Sequence, residues 1–146
     1  MSFKDILLPT DGSEFTKGAV EKALELAELS GGKITALYVL DRALFSTGNN
    51  AAVSDAFGSL EREGSMATAY VAARGKERGI EVEEMTLEGS PAKMILQESE
   101  KYDIVVMGTL GRTGLSKLII GSVADKVIQN ARCPVMVVRS QAVKID

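Results

Sequence analysis

The sequence of 146 residues contains no histidine, no tryptophan and a single cysteine. The lack of histidine excludes Ser-His-Asp and Cys-His catalysis, together with every metal site that depends on a histidine ligand. The one cysteine, Cys133, has no partner for an internal disulfide, and its position before an apolar run favours a buried thiol over a reactive one. Among the remaining side chains we identify no catalytic or metal-binding constellation.

Long hydrophobic runs and an excess of positive charge are also missing. No apolar run approaches the ~20 residues that span a bilayer, and the N-terminus has no basic-then-apolar signal segment. The net charge is −3, which argues against nucleic acid as a partner because binding a phosphate backbone requires a basic face. We therefore expect a cytoplasmic protein that binds neither nucleic acid nor membrane. Residues 1–146 are enough for one domain with an ordinary core.

Strand-like and helix-like patterns alternate along the chain. Strands are predicted at 6–8, 34–40, 80–87, 102–107 and 134–138; helices are predicted at 14–29, 53–79, 91–99 and from Ser122 onward, with loops at 41–51 and 109–120. This alternation predicts an α/β fold with a parallel sheet and helices on both faces. The third strand alternates apolar and acidic residues, as an edge strand does, whereas strands two, four and five are apolar enough for burial on both sides. Ser13 and Ser90 are predicted helix caps, and residues 122–125 have the form of a capping box.

Glycines cluster after the fourth predicted strand. Gly108 and Gly111 follow its apolar run, and Gly121-Ser122 comes after nine further residues, at a predicted helix start. Glycine lets a backbone N–H approach an anion, and a helix N-terminus adds unpaired N–H groups and a positive dipole end. The pattern therefore predicts a phosphate site. Arg112 can add positive charge to it, although a solvated loop residue explains Arg112 equally well.

A second unusual loop, Pro9-Thr10-Asp11-Gly12-Ser13, follows the first predicted strand. Open α/β sheets bind ligands beyond the carboxyl ends of their strands, where the strand order reverses. If strands one and four are neighbours, the two loops face one crevice, and Asp11 brings a carboxylate that can hold ribose hydroxyls. Asp11 is equally consistent with a turn former. The Gly-x-x-x-x-Gly-Lys-[Ser/Thr] motif is absent, which excludes a P-loop ATPase, and no Gly-x-Gly-x-x-Gly follows the first strand.

Gly108-x2-Gly111-x9-Gly121-Ser122, combined with Pro-Thr-Asp-Gly-Ser after the first strand, resembles the ATP-binding branch of the universal stress protein family. The resemblance covers essentially the whole chain, including the Cys-Pro-Val-Met-Val-Val segment near its end. It implies a five-stranded parallel sheet in the order 3-2-1-4-5, which places strands one and four side by side.

The resemblance also implies the binding residues. Pro9 and Thr10 would line the adenine side, Asp11 would lie near the ribose, and the backbone of Val39 would meet the adenine edge. The remaining binding residues are Met107, Gly108, Gly111, Arg112, Gly121, Ser122 and Val123, at the ribose and phosphates. The implied ligand is ATP, or AMP or ADP, with Mg²⁺ bridging phosphate oxygens because no dense carboxylate cage is visible. Many members carry a polar or basic residue at the position of Leu110 and a hydroxyl residue at that of Ala124, and loss of that hydroxyl would weaken phosphate binding.

The function that we expect is an ATP-binding regulatory module of the stress response, not an enzyme. A slow ATPase or a nucleotidyl-transfer enzyme on the same fold is an alternative, although the Ser-Gly-Gly-x-Asp-Ser loop of such enzymes is missing. A phosphoacceptor receiver domain fits less well, because the third predicted strand ends at Leu87-Glu88 without the required aspartate. A further alternative is a dimeric scaffold without nucleotide. Strand 135–138 is short and apolar, and together with the resemblance this predicts a homodimer through that strand.

Overall fold

The computed structural model describes residues 2–41, 43, 50–109 and 120–139, with the side chains of residues 50–53 excepted. Five strands and four α-helices alternate along the chain. They are β1 (Asp5–Pro9), α1 (Lys17–Ser30), β2 (Lys33–Leu40), α2 (Asn50–Glu77), β3 (Val82–Glu88), α3 (Pro91–Ser99), β4 (Ile104–Gly108), α4 (Ser122–Asn130) and β5 (Val135–Val138), with a short 3-10 helix at Glu14–Thr16 before α1.

The strands form one parallel sheet in the order β3-β2-β1-β4-β5. This order confirms the fold class and the strand order that the family resemblance implies. The first two connections place β2 and β3 on one side of β1, and the later ones place β4 and β5 on the other side. The strand order therefore reverses between β1 and β4.

The alternating direction of the side chains along β1 explains why helices cover both faces of the sheet. Ile6 and Leu8 are fully buried in a cluster with α1 and with Val71 of α2. Leu7 points to the other face, where it joins Ile95 of α3 and Val127 of α4. Because successive side chains of a strand point to opposite faces, a central strand needs apolar residues at consecutive positions.

Several element ends differ from the predicted ones. Residues 50 and 51, predicted as loop, are the first two residues of α2. Residues 14–16, predicted as α-helix, form a 3-10 turn instead, with Thr16 Oγ1 donating to the carbonyl of Ser13 at 2.9 Å. β3 begins two residues later than predicted. The two-sided burial expected of strand five is wrong, because β5 is an edge strand with residues that are half-buried or exposed.

The predicted capping box at the start of α4 is also wrong. The N-cap is Gly121, one residue before the expected Ser122. The carboxylate of Asp125 accepts a hydrogen bond from Gln129 at 3.0 Å, one helical turn further on. Ser90 is the N-cap of α3 as predicted, whereas Ser13 precedes the 3-10 helix and the N-cap of α1 is Thr16. Neither serine side chain makes a capping hydrogen bond. No helix among the described residues is both long enough and apolar enough to cross a membrane.

Candidate functional site

The candidate site lies where β1 and β4 separate. The pairing of β1 with β2 continues to Pro9, opposite Leu37, whereas the pairing of β1 with β4 covers only Ile6 and Leu7. β4 itself stays paired with β5 as far as Gly108. A gap therefore opens between the carboxyl ends of β1 and β4, at the point where the strand order reverses. This is the position at which open α/β sheets bind their ligands.

One wall of this gap is the loop that follows β1, which several internal hydrogen bonds support. The N–H of Thr10 donates to the carbonyl of Leu37 at 2.9 Å, and Thr10 Oγ1 accepts from the N–H of Gly12 at 3.2 Å. Thr16 Oγ1 lies 3.2 Å from Thr10 Oγ1. The hydroxyl proton of Thr16 is committed to Ser13, so Thr10 is the donor in this pair. The buried Thr10 side chain therefore serves the turn, and Thr16 is a supporting residue that the sequence reasoning missed.

Asp11 is both a turn former and a candidate ligand-binding residue. Its Oδ1 accepts from the N–H of Ser13 at 2.9 Å, which fixes the direction of the carboxylate. Its Oδ2 accepts no hydrogen bond from any residue that the structure describes, and the side chain is half-buried. The next residue, Gly12, has a φ of +79°, and a Cβ there would lie 3.1 Å from the Cβ of Ala67 in α2. The two alternatives for Asp11 are thus compatible.

The opposite wall joins the end of β4 to the start of α4. The N–H of Gly121 donates to the carbonyl of Thr109 at 2.7 Å, and the N–H of Thr109 donates to the carbonyl of Val138 at 3.1 Å. The first bond places Gly121 beside Thr109 although eleven residues separate them in the sequence, and the second joins the end of β4 to β5. Gly108 is buried, whereas the side chain of Ser122 is exposed.

The first turn of α4 has the properties of an anion site. Its N-cap is a glycine, so no capping side chain covers the unpaired N–H groups of the first turn. Such N–H groups, with the positive end of the helix dipole, favour a negatively charged ligand. Ala124 is 3% exposed and belongs to the hydrophobic cluster on the α3–α4 face of the sheet. A hydroxyl at this position would lie in apolar surroundings.

The other predicted residues divide into two groups. Val39, near the end of β2, is half-buried, and Met107, near the end of β4, is 5% exposed; both lie on the α3–α4 face of the sheet. Gly111 and Arg112, with Leu110 and the rest of the predicted loop up to residue 119, lie outside the described residues. Their contribution to the site stays a prediction.

The described walls of the gap supply groups that can form hydrogen bonds with a ligand. Among the described residues, no group of three or more acidic or cysteine side chains is arranged to hold a metal ion. Cys133 is half-buried, and burial raises the pKa of its thiol, which keeps it protonated at neutral pH. The thiol, predicted to be buried, is thus only partly so. What the gap offers is backbone N–H groups on one wall and a fixed carboxylate on the other.

Related sequences match almost the whole length of this chain. The universal stress protein family matches residues 2–139. A universal stress protein of Methanocaldococcus jannaschii is 38% identical over 143 residues, which cover 94% of this chain and 82% of that protein. A universal stress protein of Thermus aquaticus is 33% identical over 139 residues, covering 94% of this chain and 99% of the relative.

Solved structures share the fold. The structure of the protein MJ0577 has a TM-score of 0.87 and 26% identity, and the match covers 98% of this chain and 100% of that one. A universal stress protein in complex with cAMP has a TM-score of 0.71 at 20% identity, with coverages of 97% and 100%. An Arabidopsis thaliana family protein with AMP bound has a TM-score of 0.70 at 22% identity, with coverages of 95% and 93%. With the family match spanning residues 2–139 and relatives above 30% identity, this chain belongs to the universal stress protein family.

Proposed function

We propose that this protein binds an adenine nucleotide, with ATP as the preferred ligand, in the gap between β1 and β4. The observation that carries the proposal is the early end of the β1–β4 pairing at Leu7, which separates two walls of complementary chemistry. One wall supplies a carboxylate suited to ribose hydroxyls, and the other supplies helix N–H groups suited to phosphate. Family members with cAMP and with AMP bound support the nucleotide class.

The residues take separate roles in this proposal. Asp11 Oδ2 accepts a hydrogen bond from a ribose hydroxyl, because Oδ1 is already engaged by Ser13. The backbone of Val39 meets the adenine edge, and the first N–H groups of α4, at Ser122 and Val123, hold the phosphates. Arg112 and Gly111 complete the phosphate side as predicted residues.

Mg²⁺ in this proposal is bound chiefly by the nucleotide. The described residues hold no acidic cluster that could form a protein cage, and Mg²⁺ commonly keeps several waters while bridging phosphate oxygens. The chain's contribution is therefore to position the phosphates at the start of α4. Nucleotide affinity should consequently change more with the number of phosphates than with the addition of Mg²⁺.

We further propose a regulatory role in the cytoplasm, in the stress response, in place of catalysis. The sequence has no histidine, and the structure describes no general acid and base placed together at the gap. The alternative, a slow ATPase or nucleotidyl-transfer enzyme, predicts ADP or AMP release on incubation with ATP. Turnover that disappears in Asp11→Asn would establish that alternative.

A homodimer through β5 belongs to the same proposal. β5 is an edge strand, and its Met136 is 37% exposed. Ile128 of α4, the helix that packs beside β5, is 42% exposed. Exposed apolar side chains next to an unpaired strand edge favour pairing with a second copy of the strand.

The test of nucleotide binding is a panel of ATP, ADP, AMP, cAMP and GTP, with and without Mg²⁺, measured by thermal shift and calorimetry. ATP at 100 times its Kd should add about 2.7 kcal/mol to the free energy of unfolding. Asp11→Asn keeps the turn-forming oxygen but loses the charge, so affinity should fall about tenfold or more. Asp55→Asn, on the exposed side of α2, makes the same charge change and should leave affinity unaltered.

Two outcomes contradict the proposal. One is a result in which no nucleotide of the panel raises the midpoint temperature of thermal unfolding, which would favour the scaffold alternative. The other is an equal loss of affinity in Asp11→Asn and Asp55→Asn, which would place the ligand elsewhere or make its binding a matter of net charge.

A further inference from the structure

Two threonine hydroxyls form a continuous chain of hydrogen bonds in the loop between β1 and α1. The N–H of Gly12 donates to Thr10 Oγ1 at 3.2 Å. Thr10 Oγ1 in turn donates to Thr16 Oγ1 at 3.2 Å, and Thr16 Oγ1 donates to the carbonyl of Ser13 at 2.9 Å. Each hydroxyl accepts one hydrogen bond and donates another, and all three bonds run in the same direction. We call this arrangement the threonine chain.

The threonine chain is shielded from water, since Thr10 and Thr16 are each 7% exposed. A hydroxyl that loses its partner in such surroundings costs free energy, because water does not replace the lost hydrogen bond. Hydrogen bonds that follow one another in one direction also polarise each other, so each strengthens the next. Removal of one hydroxyl should therefore weaken the chain as a whole.

The threonine chain supports the backbone on either side of Gly12, next to Asp11. The Gly12 N–H, in the peptide group that follows Asp11, is the first donor of the chain, and the Ser13 carbonyl is its last acceptor. The Ser13 N–H donates to Asp11 Oδ1 at 2.9 Å. Gly12 has a φ of +79° and no side chain that could restrict its rotation, so the hydrogen bonds have to hold the loop in this shape.

The Thr16 hydroxyl has no hydrogen left for a ligand. Thr16 ends the 3-10 helix and is the N-cap of α1, where its single hydroxyl proton is donated to Ser13 and its oxygen accepts from Thr10. Any effect of this hydroxyl on nucleotide binding must consequently pass through the loop that carries Asp11.

We infer that Thr16 is a positioning residue for the nucleotide, whose hydroxyl keeps the Asp11 carboxylate directed at the ribose by way of Thr10 and the loop. The inference rests on the proposed nucleotide site and adds to it a residue that does not contact the ligand. It predicts that loss of the Thr16 hydroxyl weakens only those nucleotides that have a ribose hydroxyl for Asp11 to bind.

The test compares ATP with 2′,3′-dideoxy-ATP, which lacks both ribose hydroxyls, by calorimetry on the full chain. Thr16→Val replaces the hydroxyl with a methyl group of similar size. It should weaken ATP binding about fivefold, the value of roughly one hydrogen bond, and leave the affinity for the dideoxy nucleotide unchanged. Thr16→Ser retains the hydroxyl and should bind ATP as the unsubstituted protein does.

Thr68→Val is the matched control, because it removes a buried threonine hydroxyl away from the gap. Thr68 is 2% exposed, and its Oγ1 lies 3.2 Å from the carbonyl of Gly64 in α2 and 2.9 Å from Glu84 Oε1 in β3. The Thr68→Val variant should lose stability, as Thr16→Val does, but keep its affinity for ATP.

A double-mutant cycle tests whether Thr16 acts through Asp11. In the Asp11→Asn background the carboxylate that Thr16 positions is already lost, so Thr16→Val should have little further effect on the affinity for ATP. The amide spectrum reports whether each variant folds. If Thr16→Val does not fold, Thr16→Ala, which also lacks the hydroxyl and is smaller, takes its place.

The inference is overturned if Thr16→Val binds ATP as tightly as the unsubstituted protein, if it weakens the dideoxy nucleotide as much as ATP, if Thr16→Ser binds ATP as poorly as Thr16→Val, or if the losses from Thr16→Val and Asp11→Asn add. Absence of ATP binding by the unsubstituted protein would instead overturn the proposed function, and this inference with it.

Discussion

At the scale of single residues, Gly12 of the candidate site is constrained both by its backbone conformation and by its neighbours. Its φ of +79° is left-handed, and a Cβ there would lie 3.1 Å from Ala67 Cβ. Gly31, at the end of α1, has a similar φ of +72° but no atom within 4 Å of such a Cβ. Alanine substitutions at these two glycines therefore distinguish the strain of a left-handed backbone from steric crowding by neighbouring atoms.

We predict that Gly31→Ala lowers the free energy of unfolding by about 1–2 kcal/mol, the strain of one left-handed residue. Gly12→Ala should lower it further, because Ala67 or the loop must move. Gly12→Ala should also weaken ATP binding, since the moved loop carries Asp11. Urea unfolding and calorimetry measure both effects, and equal losses of stability in the two variants would contradict the crowding argument.

Asp103 is a charged residue that joins two strands by hydrogen bonds. Its Oδ2 accepts from the N–H groups of Asp5 and Lys4, each at 3.0 Å, and this ties the start of β1 to the segment before β4. The hydrogen bond from the Asp5 N–H, followed by that from Lys4, lowers the pKa of Asp103.

Because that pKa is lowered on folding, the carboxylate stabilises the fold at pH values above the unfolded-state pKa of about 3.9. This stabilisation is lost as the pH falls through the lower, folded-state pKa. The urea midpoint of Asp103→Asn should therefore lie below that of the unsubstituted protein at neutral pH, and the difference should shrink below about pH 4. A difference that persists or grows on acidification would contradict this role, and Asp55→Asn serves as the control for charge alone.

Single residues also show where sequence reasoning reaches its limit. The turn-forming role of Asp11 could be predicted, because aspartate is a common turn residue, whereas its role at the ribose stays a prediction. The support of Thr10 by Thr16 could not, since it depends on a 3-10 turn in a segment whose pattern predicts an ordinary helix. The burial of Ala124 likewise follows from where α4 begins, at Gly121, and not from the residue type.

At the scale of elements, α2 lies close to the sheet because of its glycines. A Cβ at Gly64 would lie 2.5 Å from Tyr38 Cδ2, and one at Gly75 would lie 2.5 Å from Val82 Cγ2. In the sequence these glycines weaken the prediction of a helix, since glycine has low helix propensity. In the fold they allow the helix backbone to approach β2 and β3. Propensity describes an isolated helix and carries no information about such a contact.

The same substitution should consequently have opposite effects at two positions of α2. Gly64→Ala should lower the free energy of unfolding by about 1–3 kcal/mol, because the added methyl group overlaps the Tyr38 ring. Gly58→Ala should raise it by about 0.4–1 kcal/mol, since the nearest atom is the mobile Arg62 side chain at 3.4 Å and the unfolded chain loses freedom. Urea unfolding of both variants checks this, and a loss of stability at Gly58 would contradict the account.

At the scale of the whole molecule, the two sheet edges have different surfaces. β3 carries the exposed acidic residues Glu83, Glu84 and Glu88, whose like charges oppose pairing with another copy of the same edge. β5 carries only apolar side chains. The alternation of helices and strands predicts a parallel sheet, but the strand order came from the family resemblance, because periodicity does not say which strands are neighbours.

If β5 is the dimer edge, Met136→Glu should shift sedimentation toward the monomer, because it places a charge at the interface. Leu29→Glu introduces the same charge at a side chain that is 86% exposed on α1, and it should leave the oligomeric state unchanged. A Met136→Glu variant that folds and still sediments as a dimer would contradict an interface through β5.

The central claim is that a nucleotide occupies the gap between β1 and β4, and amide chemical shifts of the full chain, recorded with and without ATP, test it most directly. We predict that ATP perturbs the amides at the ends of the separated strands and the start of α4, namely Asp11, Gly12, Val39, Gly108, Thr109, Gly121, Ser122 and Val123. The amides of α2 between residues 66 and 77 should change little. Saturable shifts centred on α2 or the β3 edge, with those at 108–109 and 121–123 unmoved, would contradict the claim.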